Sequence, residues 1–258
     1  TTDRVSSMEK HLGDFSLDAL ASVSGPGLEW RLDPLNEGAG DLRQGDLVLI
    51  GKRPDAGGTT FLSAEASYMA SQLPPDKCVL WVNNEEQGDK VRRRIVQSAI
   101  GCTTDEMDEH LGEILEEYEA LMGGDRRKIE VYDKAKVHVK DVEQAIKRLN
   151  PGLIVFDQLW KFKGFENLGE VERQTELANW AREISKEYAP VIAVHQLGGD
   201  AEGKPYPSMD MLYGSKTGIQ GEADLIIMLG RKDNSSTRYI SLPKNKLQTP
   251  RNRAKRNG

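Results

Sequence analysis

Cysteine is nearly missing from this chain of 258 residues: Cys78 and Cys102 are the only two, and no metal-ligand spacing joins them. A disulfide framework and a thiolate zinc site are thereby excluded. Cys78 opens the strand-like run Cys78-Val79-Leu80-Trp81-Val82 and reads as a buried, reduced thiol. The four histidines are scattered and complete no zinc motif. No apolar run approaches the length of a membrane helix, and the first residues carry no signal-peptide pattern. These absences predict a soluble, cytoplasmic protein with no membrane partner. The length suits one sizeable α/β domain, and 38% hydrophobic residues are enough for a real core.

The net charge of −6 does not by itself point to nucleic acid, but the charges are unevenly placed. Thr104 to Asp125 holds nine acidic residues, Asp105, Glu109, Glu116 and Glu119 among them, and no Lys or Arg. From Lys244 onward there are six basic residues and no acid: Lys244, Lys246, Arg251, Arg253, Lys255 and Arg256. A basic end of this kind either neutralises phosphates or is simply solvated. The cluster Arg92-Arg93-Arg94 reads as a helix face making salt bridges, with the acidic stretch as one partner.

Organisation divides the chain into an arm or linker over residues 1–33, a core over 34–247 and a basic tail over 248–258. In the arm, Asp14–Val23 has the spacing of a short amphipathic helix, ended by Ser24-Gly25-Pro26-Gly27. In the core, apolar runs predict strands at Leu47–Ile50, Cys78–Val82, Ile129–Val131, Leu153–Phe156, Val191–Val194 and Asp224–Leu229. Helical patterns lie at Thr59–Ser71, Gly88–Ile100, Thr104–Met122, Lys140–Leu149 and Gly169–Tyr188. Short, continuously apolar strands alternating with helices predict an α/β fold, a mostly parallel β-sheet flanked by helices on both faces. Thr237–Leu242 adds a last strand, expected to be antiparallel.

The most informative segment is Gly51–Thr60, GKRPDAGGTT. It follows an apolar strand and opens a helix, the setting in which backbone N–H groups cradle phosphates. Against the pattern GxxxxGK[ST], Gly57 and Thr59 hold their places, but Gly58 stands where the lysine belongs. A lysine occurs instead at Lys52, the position of the pattern's first glycine. Losing a direct positive partner removes a charge-assisted bond of about 1.5–3 kcal/mol. Three explanations stay open: Lys52 reaches back over the phosphates, Gly58 is an introduced inactivating change, or hydrolysis has been lost and the chain only binds nucleotide or builds structure. Two further runs support the loop. Leu153–Asp157 is an apolar strand ending in a carboxylate suited to Mg²⁺ beside phosphates, and Val79–Asn84 leads into Glu85 and Glu86. Acids at a helix start also suit the dipole, so this pair has a structural reading as well.

Together these fragments resemble the RecA-like ATPase core, and most of all the DnaB-type hexameric replicative helicases and related phage helicase domains. The likeness runs from about Leu35 to Leu247. It rests on Arg53-Pro54-Asp55-Ala56-Gly57-Gly58-Thr59-Thr60, Asn84-Glu85-Glu86, Ile154–Leu159, Pro190–Leu197, Gln220–Asp224 and Pro243-Lys244-Asn245-Lys246. The resemblance implies a motor that uses ATP and Mg²⁺ to move along single-stranded DNA as a ring-shaped homo-oligomer, a hexamer in the family, alongside other replication proteins. If the chain is phage-encoded, it works in the host cytoplasm. It implies Glu85 as general base, Thr59 with Asp157 around Mg²⁺, the segment Arg53–Thr60 around the phosphates, and Gln196 as a polar sensor. Lys244 and Lys246 take the positions of basic fingers that enter the neighbouring subunit's site. RecA-like cores also present two loops to the nucleic acid. Here the first is Trp160–Phe165, with Lys161 and Lys163 among aromatics, and the second is the Gly- and Pro-rich stretch 198–219, with Lys204 and Lys216. A recombinase-type filament ATPase and a nucleotide-binding assembly module without hydrolysis are the competing readings.

Overall fold

The computed structural model describes residues 26–214 and 218–247. The amphipathic helix expected over Asp14–Val23, the tail 248–258 and Lys216 lie outside the described residues.

Seven strands form one sheet: Leu47–Lys52 (β1), Val79–Asn83 (β2), Ile129–Asp133 (β3), Leu153–Asp157 (β4), Val191–Gln196 (β5), Leu225–Gly230 (β6) and Tyr239–Asn245 (β7). Their order is β3-β2-β4-β5-β1-β6-β7. All neighbours pair in parallel except β7, which runs antiparallel to β6, as expected for the last strand. The helices are Asp33–Gly38 (α1), Gly58–Gln72 (α2), Gly88–Ile100 (α3), Thr104–Glu109 (α4), Leu111–Leu121 (α5), Val139–Leu149 (α6), Glu170–Glu187 (α7) and Gly218–Glu222 (α8).

Why the five central strands β1, β2, β4, β5 and β6 are apolar over most of their length follows from what covers them. Leu47 and Leu49 point into one cluster with Phe156, Trp180 and Ile184, while Val48 and Ile50 point into another with Leu62, Met69 and Trp81. A parallel sheet covered on both faces leaves no side for polar residues. At the amino ends of the strands a charged clamp replaces apolar packing. Asp224 accepts the Leu47 N–H at 3.0 Å and the Arg182 guanidinium, whose Nη1 also donates to Gly45 O at 2.8 Å. This clamp ties β1 to α7 and to the start of β6.

The predicted helix Thr104–Met122 is two. His110, at φ −124° and ψ 32°, interrupts it. Thr103 starts the first piece with a capping box that Glu106 completes. The arginine cluster is a salt-bridged face, as expected: Arg92 meets Asp89, Arg94 meets Glu86, and Arg93 reaches Asp108 of the acidic stretch.

Phe162, whose sequence setting fits either base stacking or packing against the following helix, takes the second place: it is fully buried, edge-on to Phe156 and Trp180 at centroid distances of 5.3 and 6.1 Å. Phe165 also packs against that cluster. Interleaving of aromatics with lysines cannot reveal which rings the fold turns inward. Phe162→Ala should therefore destabilise the protein by about 3–5 kcal/mol. Urea unfolding measures it, and a change below about 1 kcal/mol would contradict this packing.

Glu65 is a second buried group with a measurable signature. It sits in α2, 1% exposed, and accepts the Arg31 N–H at 2.6 Å. Burial pushes its carboxyl up to about 7, against the lowering effect of the backbone N–H groups of Arg31 and Leu32. The folded state thus keeps a proton that the unfolded chain releases near pH 4.5. Stability from this group is full below that pH and falls as pH rises towards about 7, by roughly 1–3 kcal/mol in all. Glu65→Gln should flatten the slope and be the more stable form above pH 7, as thermal melts across this range would show.

Candidate functional site

Parallel register brings four strand ends to one edge of the sheet. Lys52 of β1 pairs with Gln196 of β5, and Asn83 of β2 pairs with Asp157 of β4. Everything that follows is built on this edge.

Between β1 and α2 the chain makes the loop Arg53–Gly57. Two residues take left-handed backbone, Asp55 at φ 57° and Gly57 at φ 82°. Gly57 is the N-cap of α2 and offers no side-chain hydrogen bond, so the helix starts with free N–H groups facing the edge. Thr59 lies in the first turn, half-buried, and Thr60 beside it is exposed. The loop's walls are fixed from outside. Arg53 donates to Leu197 O at 3.0 Å and to Glu202 at 2.9 Å, and Arg238 donates through Nε to Ala56 O at 2.9 Å. Pro54 and Asp55 are exposed at the loop's tip.

Lys52 is buried, 7% exposed, yet it is the last residue of β1 and its side chain runs across the start of α2. A Cβ at Gly58 would lie 2.2 Å from Lys52 Cδ. The ammonium ends 3.8 Å from Glu85 Oε2.

The two acids after β2 separate cleanly. Glu86 is held by Arg94 at 2.6 Å, whose hydrogen bond keeps its carboxyl below the usual range despite some desolvation. Glu85 faces the edge instead. It accepts from Gln158 Nε2 at 2.6 Å and stands 3.6 Å from Lys161 Nζ. The segment carrying it is shaped by Asn83 and Asp133, the latter also accepting the Gly88 N–H at 2.9 Å.

Asp157 is 2% exposed, and burial together with the nearby Glu85 charge pushes it up to about 6, against the pull of Lys52 and Lys161. Its Oδ1 has no hydrogen-bond partner. Among the described residues no group of three or more His, Cys, Asp or Glu forms a metal cage. Mg²⁺ does not need one. It keeps water and phosphate ligands and takes one or two protein oxygens. A buried carboxylate oxygen without a partner at this edge fits that chemistry.

Gln158 is the site residue that sequence reading missed. It adopts left-handed backbone, φ 72° and ψ 61°, and bridges two elements. Its amide nitrogen donates to Glu85, and its amide oxygen accepts from Trp160 Nε1 at 2.6 Å. Lys161 lies over the Trp160 ring at 5.5 Å, and Tyr213 of the second loop stands 6.4 Å from that ring. The only sequence signal was its place directly after Asp157.

Other expected residues lie elsewhere. Lys163 is exposed beyond the buried Phe162, and Lys204 is exposed with Nζ 3.9 Å from Met211 Sδ. Lys244 and Lys246 stand where β7 ends beside the amino end of β6, across the sheet from Glu85. Lys244 donates to Gln220 O and, at 3.2 Å, to Gly221 O, and desolvation then Lys246 lower its pKa. The fold does not bring this pair to the chain's own site.

Comparison with known proteins agrees with this architecture. The family model for the DnaB-like helicase C terminal domain matches residues 27–257. The ATPase domain of G40P is similar at 21% identity and a TM-score of 0.74, over 91% of this chain and 92% of that one. A DnaB-like replicative helicase, solved to show its interactions with primase, is similar at 19% identity and a TM-score of 0.74, over 95% of this chain and 66% of that one. No curated protein sequence matches the chain. Among the described residues no helix is long and apolar enough to cross a membrane. With its sheet order, its strand–loop–helix at the carboxyl edge and a match across most of its length, the chain belongs to the DnaB-like helicase C-terminal domain family.

Proposed function

We propose that this chain is an ATP-driven motor domain that moves along single-stranded DNA as a ring-shaped oligomer, with ATP held at subunit seams. One observation supports the reading: Glu85, which we read as the water-activating base, is hydrogen-bonded through Gln158 to Trp160 of the basic loop. Strand binding at that loop therefore has a two-bond path to the base.

In this reading the free N–H groups at the start of α2 cradle the phosphates. Thr59 and Asp157 hold Mg²⁺, which supplies charge neutralisation for the transferring phosphoryl group. Glu85 takes the proton of the attacking water. Gln196, paired with Lys52 in the sheet, senses the phosphate state and passes it to the loop after β5. Lys161 and Lys163 track strand phosphates while Trp160 offers a face to a base. Lys204 and Lys216, the lysines of the second loop, are further strand contacts in this reading. Lys244 and Lys246, remote from the chain's own site, serve the neighbour's, which makes assembly a catalytic requirement. The preferred assembly is a hexamer, working with other replication proteins in the cytoplasm.

Turnover should rise when single-stranded DNA is added, and a forked duplex should be displaced. Glu85→Gln should lower turnover by at least about 100-fold while ATP binding stays within a few-fold of the parent. Trp160→Ala should weaken strand binding by roughly 1–3 kcal/mol and reduce the DNA-stimulated fraction of turnover. Homologous pairing without unwinding would shift the assignment to a recombinase-type filament. Tight ATP binding with no turnover, with or without DNA, would leave only the assembly module.

A further inference from the structure

We propose that Lys52 and Gly58 are an exchanged pair: the phosphate-binding cation of this site comes from the end of β1, and glycine is required at the first helical position to let its side chain pass. The inference rests on the nucleotide-binding part of the function proposed above. It assigns Gly58 a job where the sequence pattern shows only a loss.

The geometry is specific. Any side chain at position 58 starts with a Cβ, and that atom would sit 2.2 Å from Lys52 Cδ, 2.9 Å from Cε and 3.2 Å from Cγ. Three consecutive methylenes of the lysine thus lie against the bare α-carbon of Gly58. Contacts below 3 Å do not persist, so a residue with a Cβ at 58 and Lys52 in its present seat exclude each other. The seat itself is unusual for lysine. A buried ammonium is retained at a cost that only negative charge can offset. In this chain Glu85 faces it at 3.8 Å, and Asp157 ends β4 at the same edge of the sheet. A position at the carboxyl edge, beside free helix-start N–H groups and opposite two acids, is where terminal phosphates would lie.

The other cations near the loop are engaged. Arg53 is spent on Leu197 O and Glu202, and Arg238 on the carbonyls of Ala56, Ser235 and Ser236. Lys161 stands against the other carboxylate oxygen of Glu85 and lies over the Trp160 ring. Lys52 is left as the ammonium that crosses the start of α2.

Five variants of the full chain decide the matter: Lys52→Met, Gly58→Ala, the double Lys52→Met with Gly58→Ala, Gly58→Lys, and the swap Lys52→Ala with Gly58→Lys. The readouts are affinity for a fluorescent ATP analogue with Mg²⁺ and steady-state ATP turnover, with thermal melting to confirm folding. Lys52→Met should weaken nucleotide affinity by about 10- to 100-fold. Gly58→Ala adds one methyl and favours the helix, yet it should lower affinity nearly as much, because it unseats Lys52. In the Lys52→Met background the same Gly58→Ala change should cost little more, a coupling that a merely structural glycine would not show. The swap should recover most of the parent's affinity by supplying the ammonium from the helix. Parent-like affinity in Lys52→Met, or in Gly58→Ala, overturns the pair. So does increased turnover in Gly58→Lys together with an unaffected Lys52→Met, the pattern of a crippled ordinary loop. A parent that binds no ATP analogue at all overturns the nucleotide reading itself. A parent that binds without turnover removes only the motor, and Lys52 is then judged on affinity alone.

Discussion

A buried positive charge has to be answered, and in this protein the answer organises the carboxyl edge of the sheet. Lys52 is carried into the fold by the parallel pairing of β1 with β5 and β6. Left unpaired, its ammonium would cost several kcal/mol to bury. Glu85 faces it from the segment after β2, and Asp157 stands buried at the end of β4. The acids in turn pay for their closeness, since the Glu85 charge adds to desolvation in raising Asp157. Such an edge is electrostatically tense and open to anything that brings matched charge. A triphosphate with a divalent cation has that chemistry.

The same carboxylate also joins two surfaces. Glu85 lies between the ammonium of Lys52 and the amide of Gln158, and Gln158 is fixed by the indole of Trp160. Left-handed backbone at a non-glycine residue is uncommon, and at Gln158 it is what turns the side chain back across the end of β4. A change in the position of Trp160 must alter the hydrogen bonding of Glu85. The coupling is local and needs no global rearrangement.

Much of the fold was legible because burial on both faces leaves an unmistakable trace. Runs such as Leu153-Ile154-Val155-Phe156 have no polar phase, and each lies in the sheet with its alternate residues in opposite clusters. Boundaries were less legible. His110 looks unremarkable in a helical pattern, yet its backbone leaves helical geometry and a separate helix begins at Leu111, burying Ile114 and Tyr118. Phe162 stayed undecided because an aromatic between two lysines has the same letters whether it faces solvent or core. Only the contact with Phe156 and Trp180 distinguishes them.

The sequence by itself determined the strand–loop–helix, the acids at the ends of β2 and β4, and the family, because these depend on local pattern and on order along the chain. The resemblance singled out Glu85, but what separates it physically from Glu86 appears only in the fold, where Arg94 holds Glu86 and Glu85 faces Lys52. Nor could the sequence connect Lys52 with Gly58, which are near in sequence but whose contact exists only once β1 ends and α2 turns beneath it. Side-chain volume in a shared space is a property of three dimensions, and there the tertiary structure alone decided.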